Sequence, residues 1–421
     1  MPFSYGIFLI TIHIAKNDSN LLGGFTMKRI AKRVLAIAAS VSLLACAAPA
    51  MAAEAPAEGG TILWLSNLTA GAQYDSAVAY LTALCDQLGY KFSVVYGDGF
   101  NDAAGNLQAV KNGMTNDAVG LIASQDGGLQ AIMEEYPDLY VAGYNTDMNS
   151  VFGEGGENAG VLENDHFLGT IADGHIDGAD TAAGYFNTCV EKGYKKVALV
   201  NFPGFAYPNL EAAAVAFKSM VEEYNATAAD EDKIEIVGDV TTLMFTPLED
   251  SWFLDGDNGN VDAIMGFCAG IQFIYPPLVS AISNGMCNPA MKLVTSGFDT
   301  DASIIGSIGD SEDRIISSVT VSPAEDPAYA LVLLDNAISG NQFDDFEVER
   351  IDAFEYIIDS NEDIDAVMSN SLMGVPDASL AQIPVDMVVN ELCKKNNPDA
   401  TFEQLQAVFH DETLLGPDAV K

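Results

Sequence analysis

Apolar and polar positions alternate in two periods along the chain, beginning at Thr61. The run 61–66 (TILWLS) is short, continuous and apolar, which predicts a buried strand. Over 76–88, Ala77, Tyr80, Leu81, Leu84 and Leu88 recur at helical spacing, with Asp75 placed to cap the start and Gly89 the end. The beat continues with a strand at 92–96, a helix at 102–112 and a strand at 118–123. A helix follows with Leu129, Ile132, Met133 and Tyr136 on one face, then a strand at 139–144. A second series has helices at 177–192, 210–224, 271–284, 301–309 and 326–339. Its strands fall at 196–201, 234–240, 261–266, 292–297 and 315–321. Short apolar strands between amphipathic helices predict parallel sheets covered on both faces. Two such series predict an α/β chain of two similar doubly wound lobes with a cleft between them. The tail, 361–421, reads as helical over 383–395 and 402–409, and is expected to pack on the outside of a lobe.

The first sixty residues carry addressing signals. Lys28, Arg29, Lys32 and Arg33 precede an apolar stretch at 34–44, and Ala50-Met51-Ala52 fits the small-x-small rule for signal cleavage. A signal peptide at 27–52 implies export. The apolar stretch is too short for a stable membrane span. Residues 1–26 precede that signal and read as a mis-assigned leader, with translation starting at Met27. Leu43-Leu44-Ala45-Cys46 resembles a lipobox, so lipidation at Cys46 competes with release after Ala52.

Length and charge narrow the picture. A chain of 421 residues suggests at least two domains. At 49% hydrophobic and 19% charged the composition is globular. The formal net charge is −42; five of the 18 basic residues and one of the 60 acidic ones precede residue 53, leaving −46 beyond it. Such a polyanion repels nucleic acid and anionic lipid, and disfavours a strongly anionic ligand. Of six cysteines, five follow residue 52, with no CxxC and no Cys/His metal spacing. Cys268 and Cys287 could pair in an exported protein, but buried free thiols are the favoured reading. No nucleophile elbow, HExxH, P-loop or GxGxxG stands in a fitting context, so the chain is read as a non-enzyme without a cofactor.

Ligands of open parallel sheets lie beyond the carboxyl ends of the strands. That rule nominates Asn67, Gln73 and Tyr74 after the first strand, Gln125 and Asp126 after the third, and 144–147 after the fourth. It also nominates Asn164, Asp165 and His166, then Asn201, Phe202, Phe205 and Tyr207, then Phe267, Gln272, Phe273 and Asp299. Amides and carboxylates accept or bridge hydroxyl hydrogen bonds, and aromatic faces cover sugar C–H faces or stack on bases. The favoured ligand set is Asn67, Tyr74, Asp126, Asn145, Asp147, Asp165, Phe202, Phe205, Phe267, Gln272 and Asp299. Each has a plain structural rival. Asp126 and Asp299 can cap helices, 145–147 can be a turn, and Phe202, Phe205 and Tyr207 can be packing beside Pro203 and Pro208. Trp64, inside a strand, reads as core.

Several segments resemble a known family. Tyr136-Pro137-Asp138-Leu139-Tyr140-Val141-Ala142-Gly143-Tyr144-Asn145-Thr146-Asp147 resembles its fourth strand and loop. Val294-Thr295-Ser296-Gly297-Phe298-Asp299 resembles its "v.GfD" strand end. Val319-Thr320-Val321-Ser322-Pro323, the run from Ala328 to Gly340, and RIDAFEYIIDSNEDIDAV from Arg350 to Val367 resemble its returning elements. In that order and spacing, over roughly 60–368 and behind an export signal, the chain resembles type I periplasmic solute-binding proteins, the family of ribose- and galactose-binding proteins and nucleoside receptors. The resemblance implies a first lobe at 60–163 plus 323–345 and a second at 164–322 plus 348–358, joined by crossover strands. It implies a monomeric, extracytoplasmic receptor that closes on a small ligand and delivers it to an ABC transporter permease.

One departure bears on the ligand. Sugar-binding members often place an Arg in the cleft, yet no Arg occurs between Arg33 and Arg314. A neutral polar ligand is expected, a sugar first and a nucleoside second. A sensor subunit for a membrane kinase or chemoreceptor is the alternative, and a glycan-active enzyme a weaker one.

Overall fold

Thr61–Ser66 (β1) is buried at every position, as a strand covered on both faces must be. It is an interior strand, one in from the edge, of the first of the two sheets among the described residues of this computed structural model. The structure describes residues 59–421 except 98–100, 154, 173, 175–177 and 205–206. The expected leader and export signal, with Cys46 and Phe205, therefore lie outside the described residues.

Helix α1 (Ala72–Leu88) follows β1, starting one turn earlier than its apolar pattern indicates, so Asp75 lies in its first turn rather than at its cap. Gly89 closes it in the left-handed conformation, as expected. Then come β2 (Lys91–Tyr96), α2 (Ala103–Gly113), β3 (Ala118–Ala123), α3 (Leu129–Glu135), β4 (Tyr140–Tyr144), the short α4 (Asn149–Phe152) and β5 (Phe167–Ile171). The first sheet runs β5-β4-β3-β1-β2, all parallel.

The second series comprises α5 (Ala179–Lys192), β6 (Lys196–Asn201), α6 (Pro208–Thr227), β7 (Glu235–Ile236), β8 (Thr241–Thr242), β9 (Ala263–Phe267), α7 (Gly270–Phe273), α8 (Tyr275–Ser283), β10 (Lys292–Ser296), α9 (Ala302–Ile305) and β11 (Ile316–Val321). The expected strand at 234–240 shrinks to β7, and β8 follows beyond its end; both are parallel to β6, and Gly238 turns the backbone between them at φ 68. The expected helix at 271–284 breaks at Ile274; Pro276 and Pro277 cannot donate to a preceding turn but suit the start of α8.

Chain order then returns to the first lobe. Helix α10 (Pro327–Ile338) packs on β3, β4, β5 and α1 and is buried almost all round. Two strand pieces follow. β12 (Arg350–Ile351) adds to β5 in parallel, and β13 (Tyr356–Ile358) adds antiparallel to β11. The second sheet thus reads β13-β11-β10-β9-β6-β7, with β8 also on β6.

This topology moves two of the expected boundaries. Phe167–Ile171 pairs with β4, so the first lobe continues past 163. Only the four-residue α4 and a single helical turn at Ala159–Glu163 precede β5, too short to announce it, and Gly169 (φ 91) interrupts its apolar run. A Cβ at Gly169 would lie 2.2 Å from the Glu349 carbonyl, so the β5–β12 approach requires glycine there. The segment 348–358 is likewise divided between the sheets. The chain changes lobe between β5 and α5, and crosses again at 322–326 and 352–355.

The tail adds α11 (Asn361–Asn370), α12 (Val385–Met387), a π-helical turn at Val388–Leu392, α13 (Phe402–Val408) and α14 (Pro417–Val420). It covers the outer face of α10, which explains why that helix is apolar on every side. Cys85, Cys189, Cys268 and Cys393 are buried and Cys287 half-buried, all as free thiols. Among the described residues no helix is long and apolar enough to cross a membrane.

Candidate functional site

Parallel strands aim their carboxyl ends at one edge of each sheet, and both edges carry aromatic side chains. In the first lobe, Trp64 stacks on Tyr74 at 5.7 Å between ring centroids and lies 6.0 Å from Tyr144. Tyr74 continues the row to Tyr96 at 6.3 Å, and their hydroxyls are 2.8 Å apart. The Tyr96 hydroxyl, more than burial, pushes the Tyr74 phenol up to about 12. Trp64 is core, its indole N–H donating to Ser124 Oγ at 2.9 Å, whereas Tyr96 is half exposed. In the second lobe, Phe202 follows β6 and packs 5.4 Å from Tyr207, 5.3 Å from Phe245 and 5.2 Å from Phe273.

The loop after β4 is the most constrained part of the first edge. Asn145 (φ 55) and Met148 (φ 48) both hold left-handed backbone that side chains rarely adopt. Between them, Asp147 Oδ1 accepts from Arg350 Nη2 at 2.7 Å, and the guanidinium also reaches Asp352. Arg350 and Asp147 are only 7% and 10% exposed. Burial raises the Asp147 carboxyl above its ordinary range, with Arg350 pulling the other way. This pair amends the expectation of an edge without arginine. Arg350 arrives from β12, beyond the stretch that lacks Arg, and two carboxylates balance its charge.

The other nominated residues separate clearly. Asn67 is exposed just past β1, and Gln272 is exposed on α7. Asp299 is half-buried and accepts the Asp301 amide at 2.8 Å, while Asp301 is the residue that caps α9. Asp126 is buried, and its carboxylate accepts from Asn101 at 2.7 Å and from the Ser150 amide and hydroxyl at 2.9 and 2.7 Å. It ties the loops that follow β2 and β3 to the first turn of α4, and it does not cap α3.

Two nominations are corrected. Asp165 precedes β5, a strand of the first sheet, so it lies at the amino edge, opposite the cleft. There it lines a surface cavity of about 490 Å³ with Glu134, Glu163 and His166. Phe267 ends β9 but is fully buried, packed 4.8 Å from Tyr185 and 5.9 Å from Phe217 under α5 and α6. It is core.

Further polar groups lie near the carboxyl edges. Asn201 ends β6 with its Oδ1 buried and unpaired, and Thr320 near the end of β11 has a buried Oγ1 in the same state. Glu355, in the last crossover, accepts the Thr181 hydroxyl at 2.8 Å. Buried polar atoms without partners are rare and mark places where a ligand can complete the bonding. Asn201 was visible from strand order; Arg350 and Glu355 required the tertiary crossover.

No protein-family profile and no curated protein matches the chain. Solved structures do. An ABC transporter periplasmic solute-binding protein from Actinobacillus succinogenes 130z, with bound D-allose, superposes with TM-score 0.54 at 12% identity, covering 73% of this chain and 99% of that one. One from Agrobacterium vitis, bound with α-D-tagatopyranose, gives 0.53 at 13%, covering 72% and 96%. One from Burkholderia graminis C4D1M, with D-arabinose, gives 0.51 at 14%, covering 72% and 96%. The fold is that of a type I periplasmic solute-binding protein, as the sequence motifs imply. At these identities the likeness concerns the fold.

Proposed function

We propose that the chain is an exported receptor that captures a small neutral polar solute between its lobes and delivers it to an ABC permease. A sugar is the first choice of ligand and a nucleoside the second. The observation that carries this reading is the pairing of two aromatic rows with hydrogen-bonding groups at the carboxyl edges of two parallel sheets. Aromatic faces cover a flat C–H or base surface, while Asn201, Asn145 and the Arg350–Asp147 pair address hydroxyls. The Arg350 charge is balanced by Asp147 and Asp352, which favours a neutral over an anionic ligand. Sugars bound in proteins of the same fold support the order of choice. The lobes turn about the crossovers, and a ligand that touches both favours the closed state. The role is binding without chemistry.

Titration calorimetry with D-allose, D-tagatose, D-arabinose, adenosine and L-amino acids tests the reading. Saturable binding of a sugar or a nucleoside is expected. Binding of amino acids alone would overturn the ligand class.

A further inference from the structure

The last sixty residues lie across the hinge and touch both lobes. They leave β13 of the second sheet through α11, where Asn361 donates to Ser311 Oγ at 2.6 Å and to Asp310 at 3.3 Å. They then run over the first lobe. Leu372 O accepts from Ser76 at 2.9 Å, Ile383 O accepts from the Tyr80 hydroxyl, and Lys395 Nζ donates to Asp335 at 2.6 Å. On the way they clasp two of the three crossovers. The Gln382 amide donates to Glu325 Oε1 at 2.8 Å in the second crossover. His410 Nε2 lies 2.7 Å from the Asp352 carbonyl in the third. Finally the chain returns to the second lobe, where α14 packs on β13 and on α11, the segment's own first helix, which Lys421 Nζ reaches through Asp363 at 2.8 Å.

We propose that residues 361–421 are a strap across the hinge that sets the resting angle between the lobes and thereby the cost of closing the cleft. The inference rests on the two-lobed fold and is independent of which solute binds.

The two ends of the strap are unequal. On the first lobe it buries Leu372, Ile383, Val388, Leu392, Phe402 and Phe409, all at 4% exposure or less. Apolar burial of this kind holds far more strongly than exposed polar contacts. At the second-lobe end the ties are Asn361, with half-buried or exposed partners, and the packing of α14 on β13; the Lys421 ion pairs to Asp363 and Asp418 lie within the strap and hold α14 to α11. A rotation of the lobes about the crossovers must stretch or release one end, and the second-lobe end is the one that yields. Its removal leaves the first-lobe packing in place.

Spin labels at Ala131→Cys on α3 and Val215→Cys on α6 report the distance between lobes. Cys287→Ser removes the half-buried native thiol. Ligand-free full-length protein is expected to give one narrow distance distribution. Deletion of 417–421 is expected to broaden it and move it to longer distances, and Asn361→Ala with Lys421→Ala to move it the same way. The double substitution removes no buried side chain and keeps the test open if the deletion fails to fold. Superimposable distributions for the full-length protein and a folded strap variant would overturn the proposal. They would leave the receptor reading untouched, because that reading is tested by ligand binding.

Discussion

Glu325→Gln should stabilise the protein above neutral pH and leave it unchanged in acid. Glu325 sits in the second crossover, 1% exposed, where its one hydrogen-bonded oxygen accepts the Gln382 amide. Burial pushes its carboxyl up to about 7 from an ordinary value of 4.5. Below 4.5 both folded and unfolded chains carry the proton, and the group contributes nothing to the pH dependence. Between 4.5 and 7 the unfolded chain ionises while the folded chain keeps its proton, so stability falls as pH rises. Above 7 the loss is complete. At about 1.4 kcal/mol for each pH unit of separation, the full loss is about 3 kcal/mol. Glutamine has nearly the same shape, accepts the same amide and does not ionise. Urea unfolding of wild type and Glu325→Gln at pH 4, 6 and 8 measures the effect. The expected difference is near zero at pH 4 and about 3 kcal/mol in favour of the variant at pH 8. Two parallel stability–pH curves would refute the reasoning, because they would mean that Glu325 ionises alike in both states.

Other expectations follow from the same buried groups. Lys395→Met strips the fully buried Asp335 of its cation and should cost about 3 kcal/mol in urea unfolding. Adding Asp335→Asn to it should recover most of that loss, since the neutral amide keeps the Tyr90 hydroxyl bond. Arg350→Ala leaves Asp147 buried without its partner; it should cost about 3 kcal/mol and abolish solute binding by calorimetry. Phe202→Ala opens the second-lobe aromatic cluster and should destabilise by about 3 kcal/mol in thermal unfolding.

Strands whose residues are apolar on both faces were legible almost to the residue. The runs at 61–66, 118–123 and 196–201 coincide with β1, β3 and β6. The same property concealed orientation. Phe202 and Phe267 both stand at a strand's carboxyl end, yet one joins an edge cluster and the other fills the helix-facing core. An all-apolar strand has no alternation to tell its faces apart. β5 is hard to read from the sequence because Gly169 and Thr170 dilute its pattern and the segment between it and β4 holds only the four-residue α4 and one further helical turn. Leaving it out places Asp165 on the wrong edge. The Arg350–Asp147 pair joins residues 203 apart in sequence, so only the crossover brings it to view. The course of the tail was the least legible part: its helices are short, and the surface they cover is the back of α10 and the hinge.

Thermal unfolding of wild type, Tyr74→Ala and Asp165→Ala, each with D-allose, D-tagatose, D-arabinose and adenosine, tests the central claim most directly. A bound solute at about a hundred times its dissociation constant adds about 2.7 kcal/mol of stability. The account predicts that at least one of these solutes raises the melting temperature of wild type and Asp165→Ala alike and fails to raise that of Tyr74→Ala. A shift that survives Tyr74→Ala but disappears in Asp165→Ala would place binding at the opposite edge, and no shift with any of the four would contradict a sugar or nucleoside receptor.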